Sequence, residues 1–115
     1  MSCYKLVLIT VPSMDLGTEL ARHIVSTSLT ACVNIIPGLT SIYSYDGKIC
    51  QDSEAMLVCK TIAEKVPALQ QSVLHKHTYD VPEFIVCVRV CILVSGVFAK
   101  HRRIFHRLDI EGGAP

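Results

Sequence analysis

The dipeptide Asp46-Gly47 constrains this chain more than any other feature. Asp-Gly favours the two positive-φ positions of a type I′ turn, and a two-residue turn locks the register of the strands it joins. Residues 39–45 and 48–60 on either side both have strand character, so residues 39–60 are predicted to form one long antiparallel hairpin. Its first arm extends back over the apolar residues 31–36. Pro37-Gly38 must bend or bulge that arm, because proline removes a ladder donor and glycine permits positive φ.

Around this hairpin the apolar spacing alternates between strand and helix. Residues 4–11 are apolar and β-branched and stop at Pro12-Ser13, which suits a strand running into a helix start. Leu16, Leu20, Ala21, Ile24, Val25 and Leu29 then recur at helical spacing, predicting an amphipathic helix over residues 14–28 capped by Ser13 or Asp15. A second helix is expected to start near Glu64, which keeps Pro67 in the first turn where its missing N–H does no harm, with Val66, Leu69 and Val73 as its buried stripe. Residues 84–94 are almost continuously apolar apart from Arg89, the pattern of a central strand covered on both faces. The order βαββαβ is that of an α+β, ferredoxin-like sandwich, an antiparallel four-stranded sheet with two helices on one face.

A chain of 115 residues supports one core, and residues 1–95 are expected to form that domain. Residues 96–115 differ in character. Val97, Ile104 and Leu108 are spaced to line a short helix, the run from Lys100 to Arg107 is basic, and the last residues form a loose tail. Half of the chain is hydrophobic and only 18% is charged, a surplus of apolar surface that subunit interfaces would absorb. The formal net charge of +1 gives no long-range field for nucleic acid or an anionic membrane, and the basic run is too short to signal either. No apolar stretch is long enough to span a bilayer and no signal-peptide core stands at the start, so a cytoplasmic chain is expected. The six cysteines include no C-x-x-C pair and lie mostly in apolar runs, where reduced thiols act as small hydrophobes.

Polar chemistry concentrates in HKHTYDVPEF, residues 75–84. At about 100° per residue His77 falls on the side of Val66 and Val73 while His75 faces away. Pro82 holds Val81 extended, so the tight turn can return Glu83 to the neighbourhood of His77. An imidazole beside a carboxylate can ligate a divalent ion, relay a proton, or close a hydrogen-bonded pair at a pocket mouth. A helix-end histidine complementing the helix dipole is the plainer alternative.

Three ordered segments carry a family resemblance: TACVNIIPGLTSIYSYDGK at residues 30–48, DSEAMLVCKT at 52–61 and HTYDVPE at 77–83. They closely resemble the signature segments of the CutA family of divalent-cation tolerance proteins. The likeness implies a ferredoxin-like subunit akin in shape to PII signalling proteins, assembled as a homotrimer through its long hairpins, binding copper or another divalent ion and having no settled enzymatic activity. Carried onto this sequence, it implies His77 and Glu83 as metal ligands and Cys32, Asn34, Tyr43, Lys60 and Tyr79 as residues of a cleft between subunits. Lys60 with the two tyrosines would also suit a small anionic ligand, so a PII-like sensor stays open beside the metal reading, as does a trimeric scaffold for another protein. No enzyme is expected. The loop TVPSMDLG after the first strand lacks the Arg and the glycine-rich cradle that acylphosphatase chemistry on such a fold requires. The chain departs from the family at Tyr45, where a Trp is usual, and over its divergent basic C-terminus.

Overall fold

The computed structural model describes residues 3–79 and 82–87. Strand β1 covers Tyr4–Val11, helix α1 Met14–Ser26, strands β2 and β3 Cys32–Tyr45 and Lys48–Ile62, helix α2 Val66–Lys76, and β4 Phe84–Val86. A 3₁₀ turn over Ala63–Lys65 leads into α2 and leaves Pro67 in the first helical turn. The four strands form one antiparallel sheet in the order β2-β3-β1-β4, the expected ferredoxin-like arrangement.

The hairpin is built as its turn demands. Tyr45 pairs with Lys48, and both Asp46 and Gly47 adopt positive φ, +53° and +74°. The register slips between Ile36 and Leu39, so Pro37-Gly38 does form a bulge, with Gly38 at φ +71°.

Alternation along the strands sorts the sheet into two faces. Val7, Ile9, Val11, Ala55, Leu57 and Cys59 meet Leu20 and Ile24 of α1 and Leu69 and Val73 of α2 in one buried core. Ser13 caps α1 by accepting from the Leu16 N–H at 3.2 Å. Gly17 brings that helix close to the sheet, since a Cβ there would stand 3.0 Å from Val11 Cγ2. The other face carries Leu8, Ile36, Met56, Val58 and Ile85 in register and no described helix covers it.

Two expectations need correction. Helix α1 ends at Ser26, not at residue 28: the Thr27 hydroxyl donates to the His23 carbonyl of the last turn at 2.8 Å, and Ser28 turns to φ +59°. The strand that begins at Phe84 is an edge strand of the described sheet, not a central one. Its unbroken apolar run serves two faces of different kinds, Phe84 and Val86 packing against the core while Ile85, 46% exposed, looks out from the side that no described helix covers. The expected continuation to residue 94, Arg89 and the basic segment at 96–115 lie outside the described residues. No helix among the described residues is long and apolar enough to cross a membrane.

Candidate functional site: an acidic groove behind the helix end

Helix α2 delivers His77 to the rim of the sheet. His77 is the C-cap residue, its N–H donating to the Val73 carbonyl at 2.8 Å, and its ring is buried at 8% exposure. The Tyr79 N–H donates to Nδ1 at 3.1 Å, so Nδ1 carries no hydrogen. Nε2 therefore holds the proton and donates it to the Thr10 carbonyl at 2.8 Å. Both ring nitrogens of a neutral imidazole are engaged by backbone. A metal ion would reach either one only by displacing a hydrogen bond. His75, as the helical spacing requires, is exposed.

Thr10 collects the second half of the expected pair. Its hydroxyl donates to Glu83 Oε2 at 3.2 Å, so His77 and Glu83 converge on one residue, one through the main chain and one through the side chain. Tyr79 stacks at a tilt on the His77 ring, centroids 4.7 Å apart, and extends its hydroxyl to Glu54 Oε2 at 2.9 Å. On the neighbouring hairpin the Tyr43 hydroxyl donates to Asp52 in a close contact. Thr10, Glu83, Tyr79, Glu54, Tyr43 and Asp52 line a common groove of about 660 Å³, completed by Ser41, Ile42 and Tyr45.

The groove is acidic. Among the described residues, three carboxylates line it and no Lys or Arg does. Both phenols in it are shifted: desolvation first and the bond to Glu54 second push Tyr79 up to about 12, while the bond to Asp52 is the leading cause that pushes Tyr43 up to about 12. Such a surface attracts cations and repels anions. Among the described residues, however, no group of three His, Cys, Asp or Glu side chains is close enough to hold an ion by itself.

The remaining residues of the expected cleft stand elsewhere. Cys32 pairs directly with Lys60 and Asn34 with Val58, at the far end of the β2–β3 ladder. Six strand positions, about 20 Å of rise, separate Lys60 from Glu54 within one subunit. Sequence reasoning missed Thr10, Asp52 and Glu54. Asp52 was within reach, because the two-residue turn places it two pairs beyond Cys50, diagonally across from Tyr43. Thr10 gave no signal, being one polar residue near the end of an apolar strand.

The family model of the CutA1 divalent ion tolerance protein matches residues 5–91. The chain belongs to this family. The divalent-cation tolerance protein CutA of Thermus thermophilus is 44% identical over 81 residues, 70% of this chain and 79% of that one. The chloroplastic protein CutA of Arabidopsis thaliana is 46% identical over 79 residues, 69% of this chain but 43% of the plant protein. The chain thus spans less than half the length of its plant relative. Among solved structures, a PII-like protein CutA from Nostoc superposes with a TM-score of 0.68 at 32% identity, covering 87% of this chain and 89% of that one. The CutA1 match includes every described residue of the groove.

Proposed function

We propose that this CutA1-family chain is a non-enzymatic, homotrimeric protein of the metal-ion response that binds copper or another divalent cation in the groove, with Glu83 among the oxygen donors. The observation that carries this reading is the charge of the lining: among the described residues Asp52, Glu54 and Glu83 contribute to it and no cation does. Carboxylate oxygens fit a divalent ion, and an acidic groove disfavours an anion. Because the described residues of one subunit bring too few donors together, a neighbouring copy completes the coordination. Two features support such a neighbour: the sheet face that no described helix covers, with Ile36 and Ile85 exposed, and a hairpin tip on which Ile42, Tyr45 and Ile49 are 67%, 71% and 78% exposed. Calorimetric titration of Cu(II) tests the assignment. Glu83→Gln is expected to weaken binding by more than about tenfold, since even partners standing behind metal ligands cost that much; equal affinity removes the groove from the account.

One observation favours a second reading, a PII-like sensor of a small anionic ligand: the PII-like relative in the structural comparison. Lys60 would supply its cation, at the opposite end of the hairpin from the carboxylates. A thermal-shift screen of nucleotides and organic acids separates the two, since a ligand at 100 times its Kd adds about 2.7 kcal/mol to stability.

A further inference from the structure

We infer that His77 is a positioning residue and not itself a ligand: its neutral ring ties the two walls of the acidic groove to the core of the subunit. The inference rests on the groove being the metal site and assigns the part that the imidazole plays there.

Each ring nitrogen holds the main chain of one residue, and each of those residues directs its side chain to one carboxylate. Nε2–H holds the Thr10 carbonyl, and the Thr10 hydroxyl donates to Glu83. Nδ1 holds the Tyr79 N–H, and the Tyr79 hydroxyl donates to Glu54. The relay therefore runs from Glu83 through Thr10, His77 and Tyr79 to Glu54, and its only ring with two engaged nitrogens is at the centre. A metal ion at Nε2 would have to replace the proton and leave the nearly buried Thr10 without its partner; one at Nδ1 would strand the Tyr79 N–H. Groups that hold a ligand carboxylate in place from behind are the usual means by which a protein tunes a metal site. Here one imidazole does so for both walls.

Glutamine distinguishes a strut from a ligand. Its side-chain N–H can donate to Thr10 and its carbonyl can accept from Tyr79, yet it offers no imidazole nitrogen. In the wild-type protein labelled with ¹⁵N at histidine, the ring spectrum should show His77 protonated at Nε2 and bare at Nδ1, and saturation with Zn(II), a diamagnetic probe, should leave both resonances in place. His77→Gln should keep an affinity for Zn(II) close to wild type, while His77→Ala weakens it by about 10- to 100-fold. A ring nitrogen that moves to a coordinated shift on Zn(II) addition overturns the inference. So does an equal loss in the two variants, or a ring protonated at Nδ1. Should wild-type protein bind no Zn(II), the metal reading itself fails, and amide exchange decides the strut: the Tyr79 N–H is then expected to exchange faster in His77→Ala than in His77→Gln, and equal rates overturn the role. The wild-type spectrum and His77→Gln suffice if His77→Ala does not fold.

Discussion

The Thr61 hydroxyl donates to the Leu29 carbonyl at 2.7 Å, and Thr30 returns the contact one position away by donating to the Lys60 carbonyl, also at 2.7 Å. Both threonines are buried, at 0% and 1% exposure. This double latch pins the connection between α1 and β2 to β3. Thr61→Val keeps the shape but leaves the Leu29 carbonyl without that donor, so it is expected to cost about 1–3 kcal/mol. Urea unfolding checks this, with Thr61→Ser as the variant that retains most of the stability.

Alkali should loosen the groove. Tyr43 and Tyr79 are raised from the ordinary tyrosine value of 10.0 to about 12, so folding favours the protonated phenols. Their contribution is complete below pH 10 and is lost as pH rises through 12. Phenolate absorbance should show a late phase that the double substitution Tyr43→Phe with Tyr79→Phe removes. Identical late phases in the two proteins would contradict the paired-phenol description.

The hairpin tip should govern assembly. Ile42 and Ile49 lie near each other across the ladder and are largely exposed in a single subunit. Ile42→Lys with Ile49→Lys places two charges where a neighbouring copy is proposed to pack, and light scattering should then report a mass below the three-subunit mass of the wild type. A wild-type mass of one subunit would end the trimer proposal.

Much of this fold was legible because a few residues speak directly about backbone geometry. Asp46-Gly47 fixed the hairpin, Pro37-Gly38 the bulge, and Ser13 the start of α1. Elsewhere composition was silent. An apolar run looks the same whether one or both of its faces are covered, so the strand starting at Phe84 read as central although β4 lies at the edge of the described sheet. The end of α1 was hidden for a similar reason: Ser26, Thr27 and Ser28 fit either a last turn or a cap, and only the hydrogen bonds to His23 decide. The site was half legible. The turn at residues 77–83 does bring His77 and Glu83 to one place, but the residue on which they meet, Thr10, lies at a separation of 67 positions from His77, and only the packing of the α2 end on β1 and the pairing of β1 with β4 supply those contacts.

A crystal soaked in Cu(II) and measured by anomalous scattering tests the central claim most directly. The account predicts a peak in the groove beside Glu83, with donors from two copies of the chain. A well-ordered ion bound elsewhere, or a groove that stays free of the metal at saturating concentration, would contradict it.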